Sequence, residues 1–456
     1  MSISQSIFKA YDIRGIVRQD LTPENVKLIG LAIGSESIAK GERGIVVGRD
    51  GRLSGVDLMQ ALKAGIQESG CHIVDIGMVP TPLVYFATHT KASTSGVMIT
   101  GSHNPPEYNG FKIMIAGETL SGECIQTLYQ RIQMGDFSSG HGTSTKMDIE
   151  QDYIERISRD VKLDKPLNIV VDAGNGVTSN IAPKLFEQLG AKVTKLFCLV
   201  DGNFPNHHPD PSKLHNLEDL IKEVKNTGAD MGFAFDGDGD RLGLIDNKGN
   251  VIWADRQMIL YSRDILKRNQ GAKIVFDVKC SSRLPKDIIQ HGGEAIMSRT
   301  GHSFMKAKLK QTGAALGGEM SGHIFFKERW YGFDDALYTG ARLLEILSKT
   351  DKTCAQVFAE LPDSINTPEI NIHFDEQGQQ FDAMNKLVEN INFPNAKITT
   401  IDGVRIDYDN GWGLVRPSNT TPCLVLRFEA DDEKTLNEIQ EKFKVWLKGN
   451  DIAADF

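Results

Sequence analysis

The sequence lacks the features that would place it in a membrane, outside the cell or on a nucleic acid. No apolar run approaches the ~18–20 residues of a bilayer span. Lys9, Asp12, Arg14, Arg18 and Asp20 interrupt the region where a signal-peptide core would lie. Six cysteines (Cys71, Cys124, Cys198, Cys280, Cys354, Cys423) lie far apart with no C-x-x-C pair, which fits reduced, mostly buried thiols rather than a disulfide framework or a zinc site. Positive charge is in deficit too. A formal charge of −9 argues against non-specific binding to nucleic acid or anionic lipid, though it leaves room for a local basic pocket and a small anionic substrate. A cytoplasmic globular protein is expected, with no nucleic-acid or membrane partner.

What is present is length and repetition. At 456 residues the chain exceeds one ordinary core, and ~100–200 residues per domain implies three or four units. A β-branched run ending in a small or acidic residue, then a helical pattern, a glycine and a second strand, occurs three times. The first copy is GIVVGRDGR at 44–52, a helix near 56–68 and a strand within 69–77. The second is LNIVVDAGNG at 167–176, a helix near 179–189 and GAKVTKLF at 190–197. The third is AKIVFDVKCSSR at 272–283, a helix near 285–290 and GGEAIMSRTG at 292–301. Short apolar strands alternating with amphipathic helices imply parallel pairing through right-handed crossovers. From about Thr367 the pattern changes to EINIHF, a helix at 381–390, the segment 396–408, CLVLRFEA and a final amphipathic helix, a small α+β unit with an antiparallel sheet. The expected division is 1–148, 149–251 and 252–364 as α/β domains of similar topology, and 365–456 as a smaller α+β domain.

Four segments carry chemistry. In FAFDGDGDRLGLID, Asp236, Asp238 and Asp240 alternate with glycines between two apolar strands. Three carboxylates this close repel one another strongly unless a cation sits among them, and hard oxygen ligands suit Mg²⁺ or Ca²⁺. An EF-hand loop would need Gly and Glu where Arg241 and Asn247 stand, so that reading fails. In TGSHNPP at 100–106, the Asn-Pro-Pro stop leaves Ser102 and His103 on a rigid turn after a strand. A loop serine is by itself commonly a turn residue, and as a nucleophile it needs a base, which His103 or Lys112 could provide. In GGEMSGH, Glu319 and Ser321 can bond sugar hydroxyls, while Lys279, His302 and His323 suit acid/base work or phosphate contact. RPSNTTP combines one guanidinium with short hydrogen-bonding side chains in a loop able to grip a phosphate, and YDIRG sets Arg14 in a similarly loop-like position.

Taken together and in this order, these segments resemble the α-D-phosphohexomutases, most closely the bacterial phosphomannomutase/phosphoglucomutase group, over nearly the whole chain. The resemblance implies four domains around a central cleft. It makes Ser102 the phosphoserine and Asp236, Asp238 and Asp240 the metal ligands, with Arg241 following them as in the family. It assigns Glu319 and Ser321 to sugar hydroxyls, His323 to the neighbourhood of the reacting groups, and Arg416, Ser418, Asn419 and Thr420 to phosphate. Tyr11, Arg14, Lys112, Lys279 and His302 match further active-site positions. The implied cofactor is Mg²⁺, with the phosphoryl group on Ser102 as a further metal ligand and a hexose 1,6-bisphosphate as activator and intermediate. Lys279 or His323 would take the proton of the attacking hydroxyl. Met320 and Gly101, where phosphoglucosamine mutases typically carry Gln and Ala, favour mannose and glucose phosphates. A phosphoglucosamine mutase and a metal-dependent sugar phosphatase are the alternatives, and a monomer or weak homo-oligomer is expected.

Overall fold

The computed structural model describes residues 3–90, 93–376, 378–419, 421–454 and 456. Three of its sheets repeat one arrangement. In the first, Gly44–Arg49 is central, with His72–Met78 and Gly96–Ile99 parallel on its two sides and Tyr108–Ile115 antiparallel beyond Gly96–Ile99. In the second, Asn168–Asp172 is flanked by parallel Lys192–Leu196 and Met231–Phe235, and Leu242–Asp246 runs back beside the latter. In the third, the same places are taken by Lys273–Asp277, Glu294–Ser298, Leu316–Gly318 and Ile324–Phe326. The parallel pairs expected from the repeat are all present. The fourth sheet is antiparallel throughout, in the order Ile365–Asn366, Cys423–Ala430, Gly411–Pro417, Val404–Tyr408 and Lys397–Thr399, with Ile370–His373 beside Cys423–Ala430.

Local departures from expectation have local causes. The second crossover helix starts at Ile181 rather than 179, because Val177–Ser179 forms a tighter 3₁₀ turn. The third spans Arg283–Gln290, so Pro285 falls in the first turn, where a missing N–H costs nothing. The segment 396–408 divides into a hairpin at Gly403, whose φ of 78° is open to glycine. Arg14 is not in a loop: it lies in the strand Ile13–Ile16, paired opposite Gly110. Arg416 and Pro417 likewise close a strand, Gly411–Pro417, rather than open a loop.

One apolar core runs through the first three units, with Val84, Phe86, Tyr153, Leu185, Phe233, Leu244, Met258, Phe326 and Leu337 in a single cluster. The fourth has its own, around Ile406, Leu426, Phe443 and Trp446. Its attachment to the third is mixed: Val278 packs on buried Trp412 and Leu414, Arg405 donates to the carbonyls of Val278 (2.6 Å) and Cys280 (2.8 Å), and Glu429 accepts from the Ser282 amide at 3.0 Å. A large shared apolar core joins the first three units, whereas a small apolar cluster and a set of hydrogen bonds hold the fourth.

The repeat places the site. In each of the first three sheets the same connection, from the third strand to its antiparallel neighbour, bears one of the chemical segments: residues 100–107, 236–241 and 319–323. In the fourth, the loop between Gly411–Pro417 and Cys423–Ala430 does so.

Candidate active site

The first two turns meet at Ser102. A Cβ on Gly237 would lie 2.4 Å from the Ser102 carbonyl oxygen, so the acidic turn can approach this closely only with glycine there. Ser102 is buried, with φ at 50°, a left-handed conformation that costs a non-glycine residue about 1 kcal/mol or more. Its Oγ donates to Asp236 Oδ2 at 3.1 Å and lies 3.0 Å from His103 Nδ1. Burial, reinforced by Arg241 and Arg14, holds the His103 pKa well below its usual value, so the ring is neutral.

All three aspartates are buried behind the cleft surface. Asp236 Oδ1 accepts from the backbone amides of Gly239, Asp240 and Arg241 at 3.0–3.1 Å, yet burial and its two acidic neighbours raise its pKa well above the ordinary range. Asp238 is the opposite case. Burial disfavours its charge, but the Lys112 ammonium at 2.7 Å outweighs this and lowers its pKa. Lys112 also contacts Asp240, and despite burial the two carboxylates push its own pKa well above normal. Lys112 is therefore the ammonium counter-ion of both carboxylates.

The third turn stands against the second. Arg241 and His323 form a backbone bridge, and Arg241 Nε donates to His323 Nε2 at 2.9 Å. His323 Nδ1 lies 3.0 Å from Asp334 and 3.6 Å from Asp240, and His302 stacks on the ring at 5.9 Å between centroids. Tyr11 packs edge-on against His302 at 5.2 Å. Glu319 accepts from the Gly301 amide at 3.0 Å and from Ser321 Oγ at 3.1 Å, with its pKa raised by burial. Lys279 pairs with Glu369 at 2.7 Å. Burial opposes the Lys279 charge, but Glu369 and Asp277 more than offset it, and Lys279 in turn holds Glu369 down at about 2. Lys279 is thus held as a cation by its two carboxylate neighbours.

Across the cleft, Arg416 reaches both oxygens of Asp402, at 2.9 and 3.4 Å. Ser418 Oγ accepts from the Thr421 amide at 3.2 Å, and Ser418 and Asn419 face the same space. Thr420 lies outside the described residues. Arg14 is held by Asp12 at 2.6 Å and by Asn104 of the serine turn. One cleft of about 940 Å³ is lined by Tyr11, Arg14, Ser102, His103, Lys112, Arg241, Lys279, His302, Glu319, Ser321, His323, Arg416, Ser418 and Asn419. Every sequence-predicted side chain that is described is brought to this cleft or, for the aspartates, to its floor.

The acidic trio fits a hard cation. One oxygen from each of Asp236, Asp238 and Asp240 can be chosen with all three within 4.8 Å of one another. Asp238 Oδ1 and Asp240 Oδ1 are buried without a hydrogen-bond partner among the described residues, a cost that a bound cation removes.

Comparison with known proteins places all four units in one family. Residues 5–139, 151–249 and 253–365 match phosphoglucomutase/phosphomannomutase alpha/beta/alpha domains I, II and III, and 369–444 match the C-terminal domain. The chain belongs to the phosphoglucomutase/phosphomannomutase family. A phosphomannomutase/phosphoglucomutase of Pseudomonas putida is 55% identical over 98% of this chain and 96% of its own. A phosphoglucomutase of Neisseria gonorrhoeae is 52% identical over 98% of each. The crystal structure of a phosphoglucomutase/phosphomannomutase family protein from Burkholderia thailandensis superposes with a TM-score of 0.95 at 48% identity, covering 100% of this chain and 99% of that one.

Within this family member, several residues in the cleft or paired with its lining had no signal in the sequence. Asp402, Glu369, Asp334 and Arg427 are single charged residues in unremarkable segments, and only their tertiary partners give them a place. Thr421 could have been read from RPSNTTP, since it lies in the same short hydroxyl-rich loop.

Proposed function

We propose that the chain interconverts hexose 1-phosphates and hexose 6-phosphates, of mannose and/or glucose, through a phosphorylated Ser102 and a hexose 1,6-bisphosphate. The observation that carries this reading is the Ser102 hydroxyl hydrogen-bonded to Asp236, at the edge of a carboxylate trio with unpartnered oxygens. Asp236, Asp238 and Asp240 would hold Mg²⁺, which supplies Lewis-acid withdrawal of charge from a phosphoryl group.

The chain's own residues support the rest of the cycle. A sugar hydroxyl attacks phosphorus, the P–O bond to Ser102 breaks and a P–O bond to the sugar forms. The hydroxyl proton passes to His323 Nε2 as that nitrogen gives up its hydrogen bond from Arg241. Arg241, freed from the ring, faces the transferring group, where fixed positive charge lowers the barrier to phosphoryl transfer. Glu319 and Ser321 bind hydroxyls, and Arg416, Ser418, Asn419 and Thr420 take the distal phosphate, so Arg416 exchanges its pairing with Asp402 for the substrate. The bisphosphate turns about, its other phosphoryl group returns to Ser102, and His323 gives back the proton. Tyr11, Arg14, Lys279 and His302 complete the anion-binding cradle. Movement of the hydrogen-bonded fourth unit would close the cleft and exclude water. The domain limits 148/149, 251/252 and 364/365, a monomeric or weakly associating state and a cytoplasmic location belong to the same reading. No helix among the described residues is long and apolar enough to cross a membrane.

The test is Ser102→Ala, followed by ³¹P NMR with glucose, mannose and glucosamine 1-phosphates and a trace of bisphosphate. Loss of exchange between 1- and 6-phosphates is expected, and near-normal turnover overturns the mechanism. Wild-type release of inorganic phosphate without isomer marks a phosphatase, and preference for the amino sugar marks a phosphoglucosamine mutase.

A further inference from the structure

The segment GIVVGRDGR opens the first repeat, yet no step above uses its last residue. Arg52 is 1% exposed and sits beneath the Ser102 turn. Its guanidinium donates to four backbone carbonyls of that turn: Ser102 at 2.9 Å, Asn104 at 2.5 Å, Pro105 at 2.6 Å and Tyr108 at 3.0 Å. Only a planar fork with several fixed N–H groups can gather carbonyls so arranged, and a lysine ammonium at the end of a flexible stem cannot reach them all. The neighbouring Asp50 pins the other side of the turn. It accepts from the Arg52 amide at 2.9 Å, from Thr100 Oγ1 at 2.8 Å and from the Gly101 amide at 3.2 Å, and Thr100 Oγ1 in turn accepts from the Ser102 amide at 2.7 Å. Ser102, with φ at 50°, is thus held from both flanks in a conformation it would not keep alone. The second unit covers this arrangement, with the Phe204 ring 5.3 Å from the guanidinium carbon.

The glycine before the serine belongs to the same device. A Cβ on Gly101 would lie 2.4 Å from both Cζ and Nε of Arg52 and 2.8 Å from the Tyr108 carbonyl oxygen. The guanidinium cannot swing aside without releasing the carbonyls it holds.

We propose that Arg52 is the positioning residue of the phosphoryl-transfer turn, setting the orientation of Ser102 through its four carbonyl contacts. This rests on the mutase reading of Ser102 and adds a residue that touches neither substrate nor metal. A displacement of the order of 1 Å at a reacting group costs about 10²-fold in rate.

The experiment compares wild type with Arg52→Lys and Arg52→Gln, in 1-phosphate to 6-phosphate exchange and in intact-mass measurement of Ser102 phosphorylation by glucose 1,6-bisphosphate. In each variant kcat should fall about 10²-fold and phosphorylation should slow in parallel. KM for glucose 1-phosphate should stay within about threefold, the split expected when transition-state alignment alone is lost. Should Arg52→Lys fail to fold, Arg52→Gln decides, because its neutral amide keeps two N–H donors at the buried site. The proposal falls if a folded variant keeps wild-type kcat or if the loss is confined to KM. Exchange by wild type together with unimpaired variants overturns only the role of Arg52, whereas absence of exchange in wild type overturns the mutase reading itself.

Discussion

His323 Nε2 accepts a hydrogen bond from Arg241 Nε at 2.9 Å, and because a guanidinium can only donate, the proton of that imidazole sits on Nδ1. Nδ1 lies 3.0 Å from the Asp334 carboxylate. The nitrogen left with a lone pair is on the Arg241 side, next to the acidic turn.

His323→Gln therefore removes the proton acceptor while keeping a polar side chain of similar reach. Steady-state assays should show kcat reduced by about 10²–10⁴-fold, the usual worth of a general acid–base, with a smaller change in KM. A kcat within a few-fold of wild type would assign the proton elsewhere.

Divalent metal should act on stability as well as activity. Chelation should abolish turnover, and Mg²⁺ should restore it. A ligand that binds only the folded state adds about 2.7 kcal/mol at 100 times its Kd, readable as a rise in melting temperature. The rise should vanish in Asp238→Asn/Asp240→Asn, which keeps the shape of the turn and removes two charges.

Asp335 predicts a pH dependence unrelated to catalysis. It caps the helix Ala336–Ser348 by accepting from the Tyr338 amide at 2.9 Å, and it also accepts from Tyr153 OH and Trp330 Nε1. Burial, with no cation in contact, raises its pKa to about 7. Below about pH 4 both folded and unfolded chains carry this proton, and between about 4 and 7 only the folded one does. Folding stability should therefore fall as pH rises through that window and level off above it. Urea titrations at pH 5 and pH 8 should show the wild-type margin over Asp335→Asn shrinking with rising pH.

Arg405 tests the attachment of the fourth unit. Its bonds to the Val278 and Cys280 carbonyls bracket Lys279 from either side. Arg405→Met should loosen that loop and raise KM for hexose phosphate about tenfold, as expected for losing one charged hydrogen bond's worth of alignment, ~1.5 kcal/mol. The change in kcat should be smaller.

The sequence disclosed the site best where its residues are consecutive. DGDGDR could be read because three carboxylates in five positions demand a cation wherever they fold, and the flanking apolar runs announced the two strands now seen. The repeat was legible as strand–helix–strand. The equivalence of the three chemical turns was not, because their sequences share nothing and only strand order relates them. Lys112 could be read as an amine near a serine; its pairing with two carboxylates could not, because they arrive from residues more than 120 positions away. Arg52 and Asp402 stayed hidden for the same reason, their roles being set by partners that no local pattern names. Arg14 was read as a loop residue because four strand residues at a sheet edge are too few to show alternation.

The pairing of Lys112 with Asp238 and Asp240 also bears on how the chain is made. Translation delivers the first unit, with its ammonium, before the three aspartates leave the ribosome, and domains tend to fold in that order. The acidic hairpin thus meets a countercharge already in place instead of folding against its own repulsion. The same contact that balances charge in the finished protein would serve, during synthesis, as the template on which the second unit docks.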